Sequence, residues 1–138
     1  MVGRDAWPAL LTWLSTPLFV AAPLVARQTS LGGRTLFWAA GVANTLLSAK
    51  AFGPGTSVGW FLLPCFVIAL GFFRLSEAWV AAGLVVMTGA AALAVPHLGA
   101  PLVAYAAPQM TSLSRLNLWS VGVLTLYLVW SAWRAHRA

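Results

Sequence analysis

The stretch AWVAAGLVVMTGAAALAV, residues 78–95, runs for eighteen residues without a charge, from the position after Glu77 to the one before Pro96. An α-helix rises about 1.5 Å per residue, and crossing roughly 30 Å of hydrocarbon takes about 17 to 25 apolar residues. The stretch meets that length, and its alanines and leucines favour helix over every alternative. Working outward, four more segments meet the requirement or nearly so: residues 7–26, 35–52, 55–73 and 116–133. Peptide groups in lipid must bond within their own segment, which makes these helices rather than open strands. The alternating strands of about ten residues that a barrel needs are absent.

Composition gives the same reading. Of the 138 residues 61% are hydrophobic and only 7% are charged, whereas soluble domains carry about 25% charged residues. Too few polar groups exist to cover a surface facing water, and the high hydrophobicity is the opposite of a disordered chain. The expected fold is therefore all-α, a polytopic transmembrane bundle of about five helices forming a single domain over residues 1–138.

The breaks between segments have physical causes. Residues 27–34 are polar and hold Gly32 and Gly33; Gly53-Pro54-Gly55 cannot continue a helix, since proline lacks a donor and glycine is entropically costly. Residues 74–77 make a short turn. Pro96, Pro101 and Pro108 keep the chain irregular until about Ser112, and Ser112 or Ser114 is the expected N-cap of the last helix. Arg4 ahead of an apolar run has the outline of a signal peptide, but Pro8, Pro17, Pro23 and the length of the run favour a kinked transmembrane helix.

The net charge is +6, from eight lysines and arginines set singly between apolar runs. Without a basic stripe or a nucleic-acid motif, no nucleic-acid partner is expected; such cations fix topology and meet lipid headgroups. Alternating the loops puts Arg27, Arg34, Arg74, Arg134 and Arg137 on one side and Arg4, Lys50 and Arg115 on the other. The richer side should be cytoplasmic, giving a bacterial inner-membrane protein with its N-terminus outside and its C-terminus inside. Trp7, Trp38, Trp60, Trp79, Trp119, Trp130 and Trp133 fall close to the expected helix ends, where indole rings prefer the headgroup region. Lys50, near a helix end, is expected to snorkel to the surface.

Few residues offer chemistry. The carboxylates are Asp5, in the N-terminal tail, and Glu77, three residues after Arg74, where a local Arg74–Glu77 ion pair is expected. His97 and His136 lie outside the centres of the spans, and Cys65 sits at a different depth from both, so no metal or cofactor is expected and catalysis is not. A Ser–His dyad joining His97 to Ser112 or Ser114 lacks a framing elbow motif. The second segment is more informative. Ala40, Gly41, Asn44, Thr45 and Ser48 recur at spacings of three and four and form one small, polar stripe. Such a stripe serves close helix packing or lines a polar pocket. With Pro64, whose missing donor can kink the third segment, Asn44, Thr45 and Ser48 are the candidate polar centre of the bundle. The alanine- and glycine-rich stretch 78–95 suits a crowded bundle centre or a subunit interface.

Ala43-Asn44-Thr45, Phe61-Leu62-Leu63-Pro64-Cys65, Phe73-Arg74 with Glu77, and Asn117-Leu118-Trp119 ahead of the basic exit at residues 134–137 resemble the multi-helix membrane sensor regions of bacterial signalling proteins. Those regions precede class III nucleotide cyclase, diguanylate cyclase or histidine kinase domains. The likeness covers roughly residues 35–135, and such regions usually have six helices where five are counted here. It implies a non-enzymatic sensory or regulatory membrane module. The other expectations are an accessory subunit of a larger respiratory, photosynthetic or transport complex, and a small transporter or lipid-binding protein. The partners expected are the bilayer, other membrane subunits, or further copies of this chain.

Overall fold

A computed structural model describes residues 7–137, and all regular structure among them is helical. Arg4 and Asp5 lie outside the described residues. A short turn α1 (Trp7–Leu10) leads through a 3-10 stretch (Leu11–Ser15) into α2 (Thr16–Gln28); then come α3 (Ser30–Phe52), α4 (Leu62–Gly71), α5 (Ala78–Ala94) and α6 (Ala107–Arg137). The first expected segment is thus interrupted, because Pro17 has no N–H to bond back into the preceding turn. Pro23 is tolerated inside α2.

Pairs of neighbours give the topology. Gly33 packs on Ala26 and Phe37 on Phe19, so α2 and α3 form an antiparallel hairpin joined by Thr29 alone. Arg34 reaches Phe72, and Gly41 faces Cys65, so α4 is antiparallel to α3. Arg34 meets Glu77, Trp38 meets Thr88, and Lys50 meets Leu98, so α5 runs parallel to α3. Ser57 meets Ser114, and Gly71 meets Ala132, which lays α6 alongside α4 in the same direction. The chain therefore alternates direction at each helix. One end of the bundle gathers Arg34, Arg74 and the basic tail of α6, with His136 Nε2 3.1 Å from the Gly71 carbonyl. The other end holds Lys50 and the turns at 53–57 and 95–105.

Three boundaries differ from the expected ones. α3 begins at Ser30 rather than 35, because Gly33 is a packing residue: a Cβ there would lie 2.3 Å from Ala26 Cβ. α6 begins at Ala107 rather than 116. Pro108 occupies its first turn, where no backbone donor is needed, and the Gln109 side chain accepts the Ala106 N–H at 3.2 Å. Ser112 and Ser114 are consequently inside the helix and cap nothing; neither meets His97. The third segment is α-helical only from Leu62, after 3-10 turns at Pro54–Thr56 and Val58–Phe61. Pro64 falls in the first turn of α4, where the 3-10 stretch passes into α-helix.

The core is thin. Trp38, Cys65, Ile68, Ala69, Phe73, Leu84 and Leu128 form one buried cluster, and Ala49, Val58, Leu62, Ala91 and Val95 a second. Trp38 is the exception among the tryptophans. The longer α3 puts it over two turns from the helix start; it is buried and donates its Nε1–H to Thr88 Oγ1 at 2.9 Å, while the other seven are exposed. Among the described residues two helices, α5 and α6, are long and apolar enough to cross a membrane. Yet only 22% and 17% of the residues in their most apolar stretches are buried, and Trp79, Val86, Leu93, Trp119 and Leu126 point outward. α5 does not occupy a crowded centre; it rests one face (Leu84, Thr88, Ala91) on the bundle and leaves Gly83 and Gly89 with open space beside them.

Candidate functional site

The polar stripe of α3 opens onto a cleft of about 370 Å³ at the Lys50 end of the bundle. Asn44, Thr45 and Ser48 all line it, as the spacing on one helical face requires. Pro64 does not. α3 can present this face because Gly41, one turn earlier, lets α4 approach closely: a Cβ there would lie 2.9 Å from Cys65 Sγ.

The opposite wall is the turn between α3 and α4. Gly53 adopts φ 85°, a conformation open to glycine, and Ser57 is held at φ 59° in the left-handed region. Thr56 is buried and donates its hydroxyl to the Gly53 carbonyl at 2.7 Å, closing the turn on itself. Two bonds then latch the turn to α6: the Ser57 and Ser114 hydroxyls lie 2.6 Å apart, and Asn117 Nδ2 donates to the Thr56 carbonyl at 2.8 Å.

A strap closes one edge. The Leu102 and Val103 N–H groups donate to the Lys50 and Ala51 carbonyls, at 3.2 and 3.1 Å, and so satisfy the last turn of α3. Lys50 Nζ folds over the same helix end and donates to the Leu98 and Ala100 carbonyls, both at 2.9 Å. The ammonium expected to seek headgroups is therefore a clamp on the strap. Beyond it Tyr105 packs on Phe52, with ring centroids 6.2 Å apart, and both rings line the cleft with Phe61.

On the α2 side, buried Ser15 has its hydroxyl 2.8 Å from the Thr12 carbonyl and 2.9 Å from Asn44 Oδ1. A hydroxyl carries one proton, so both contacts are satisfied when the Asn44 amide turns to donate from Nδ2. Thr45 returns its hydroxyl to the Gly41 carbonyl at 2.8 Å. Ser48, only 5% exposed, has no hydrogen-bond partner among the described residues. Both asparagines of the chain line the cleft, and none of its lining residues is a carboxylate, an imidazole or a cation. Such a set binds by hydrogen bonding and aromatic contact.

The sequence showed Asn44, Thr45 and Ser48 but missed Thr56, Asn117 and Tyr105. The first two arrive through a turn and a helix latched over long sequence separations. The signal available for Asn117 was its rarity: an amide inside an apolar helix needs a partner.

At the other end, Arg34 forms the ionic corner. Its guanidinium donates to Glu77 Oε1 at 2.8 Å and to the Phe72 carbonyl, and lies 5.1 Å from the Phe73 ring centre. The close side-chain partner of Glu77 is thus Arg34. Arg74 gives Glu77 its backbone N–H, at 2.8 Å to Oε2, because an extended Arg74 starts the 3-10 turn and the Glu77 side chain folds back to cap it. In this turn, ahead of α5, the Arg74 N–H and the Arg34 guanidinium hold the Glu77 carboxyl below its ordinary pKa. No group of three or more His, Cys, Asp or Glu side chains that would hold a metal comes together among the described residues.

Comparison with protein-family models, curated proteins and solved structures gives no match.

Proposed function

We propose that this chain is a multi-pass integral membrane protein, a non-enzymatic sensory or regulatory module whose polar cleft lies between α3, α6 and the turn that joins α3 to α4. The observation that carries the membrane reading is the apolar surface left uncovered on the two helices that are long and apolar enough to span. In water large exposed apolar patches are rare. Here α5 and α6, the helices apolar enough to span, are little buried, while Ser15, Thr45, Ser48, Thr56 and Thr88 are inside. Lipid is the solvent that suits this arrangement, since small and polar side chains then serve helix–helix contact. Arg134 and Arg137 lie over the Trp130 and Trp133 rings, at 4.9 and 4.0 Å, as in an interfacial belt. With Arg27, Arg34 and Arg74 at the same end, the positive-inside rule supports a cytoplasmic C-terminus in a bacterial inner membrane.

The sensory reading rests on α6. Its 31 residues make a rod roughly 46 Å long, with Asn117 at the cleft and His136 at the basic end. A change in the cleft that shifts the Thr56–Asn117 latch moves the far end of the rod, where an output domain or partner would feel it. The open flank of α5, with Gly83 and Gly89 unobstructed, favours a second reading as a subunit of a larger assembly.

The test has two parts. Alkaline carbonate should leave the protein in the membrane pellet and detergent should release it; release by carbonate alone overturns the membrane reading. A single thiol placed by Ala135→Cys in a Cys65→Ala background should label at a rate altered several-fold by Asn44→Leu with Ser48→Leu. An unchanged rate together with an unchanged oligomeric state overturns the sensory one.

A further inference from the structure

The cleft beside α3 holds polar groups whose bonding capacity the fold leaves unused. Ser48, a residue 5% exposed, lines the cavity, and its hydroxyl has no partner among the described residues. Asn117 spends its Nδ2 on the Thr56 carbonyl and keeps Oδ1. Asn44 engages Ser15 with one half of its amide and keeps the other. Tyr105 adds a phenol at the rim. Hydroxyl and amide groups that line a cavity without a protein partner bond to whatever fills it, water or a ligand. The volume, about 370 Å³, lies in the range of about 300 to 1,000 Å³ typical of small-molecule sites.

Charge decides the class of that occupant. No cation or carboxylate lines the cleft, and the Lys50 ammonium is spent on the Leu98 and Ala100 carbonyls. An ionic ligand would shed its water and gain no counter-charge. The spare groups are a mixture of donors and acceptors, which suits hydroxyls, since each hydroxyl both gives and takes a bond. Phe52, Phe61 and Tyr105 supply apolar ring faces for a C–H surface.

We propose that the cleft binds a small uncharged polyhydroxy group of hexose size, free in solution or as the headgroup of a neutral glycolipid. This names the stimulus of the sensory module and rests on that reading. Tyr105, on the strap that Lys50 clamps, forms the edge such a ligand passes, so occupancy bears on the strap and on the Asn117 latch together.

The experiment uses the full chain in nanodiscs, with glucose and myo-inositol as free probes and a galactosyl diacylglycerol doped into the bilayer as the lipid probe. Binding is read by calorimetry for the free probes and by retention of glycolipid on the purified protein for the other. At least one arm should saturate, and the responding arm identifies the source. Ser48→Ala should weaken that binding about 3- to 10-fold, the worth of one neutral hydrogen bond, and Ser48→Thr should retain it. Gluconate and glucosamine should bind at least about tenfold more weakly than glucose if the free arm responds. Saturation in neither arm, binding indifferent to Ser48→Ala when that variant unfolds at the wild-type temperature, or equal binding of the charged analogues overturns the proposal; in the first case water fills the cleft. Binding with no change in labelling at residue 135 would retain the ligand and reject the sensory role, so the two failures are distinct.

Discussion

Replacing Thr88 by valine removes one oxygen and almost no volume, at a place where that oxygen matters. Thr88 is fully buried, donates to the Leu84 carbonyl at 2.8 Å, and accepts the Trp38 indole N–H at 2.9 Å. In Thr88→Val the carbonyl keeps its helical backbone bond, but the indole N–H, on a residue only 4% exposed, loses its acceptor with no water to replace it. A buried donor left unpaired costs about 1 to 3 kcal/mol. Interhelical bonds within membranes measure about 0.6 kcal/mol on average and up to about 1.7, because the unfolded chain in lipid also finds partners. The expected loss is therefore about 1 to 1.7 kcal/mol, roughly a five- to twentyfold shift in the folding equilibrium. Trp38→Phe removes the donor and part of the ring, so it costs packing as well. The double variant should then be less destabilised than the two single losses added, by about 1 kcal/mol. Equilibrium unfolding by SDS in mixed micelles, followed by circular dichroism, measures all four corners of the cycle. Additivity within about 0.3 to 0.5 kcal/mol would refute the claim that this bond joins α3 to α5.

Gly33→Ala should destabilise the protein by about 1 to 3 kcal/mol, since its Cβ would meet Ala26 backbone atoms at 2.6 and 2.8 Å. Gly83→Ala, with open space around it, should be neutral or stabilising by about 0.5 to 1 kcal/mol; equal losses at the two sites would contradict the α2–α3 contact. Lys50→Met should speed hydrogen exchange at the Leu102 and Val103 amides at least about tenfold, because the clamp over their acceptors is gone, and unchanged protection would show that the ammonium is idle. The Glu77 carboxyl is held below its ordinary value near 4.5, so its stabilising share is present above that pH and lost as acid carries the solution through the folded value. The wild type should exceed Glu77→Gln in unfolding midpoint at neutral pH and converge with it in acid; a gap that persists in acid would exclude the carboxylate as its cause.

The helical class and the bounds of α5 were legible because a long charge-free run admits few conformations. The errors came where one residue type serves two purposes. Gly32 and Gly33 looked like a break but allow α2 and α3 to touch, which cost the first five residues of α3 and, with them, the location of Trp38. Pro108 looked like a terminator but sits where a helix starts. Within the cleft, Asn44, Thr45 and Ser48 were legible because helical periodicity is local. Thr56, Asn117 and Tyr105 were not, since their association depends on the latch at Ser57–Ser114 and on the strap over Lys50, neither of which leaves a periodic trace. The Arg34 contact with Glu77 was hidden for the same reason, since the two lie more than forty positions apart.

The lone extended residue at Thr29 has a consequence for biosynthesis. On the membrane reading proposed above, a connection this short leaves no slack for α2 to enter a bilayer and wait for its successor, so the two helices go in as one folded-back unit. Reporter fusions or glycosylation tags inserted at that corner would pry the pair apart and give a false sidedness. Mapping experiments on this chain should place their tags accordingly.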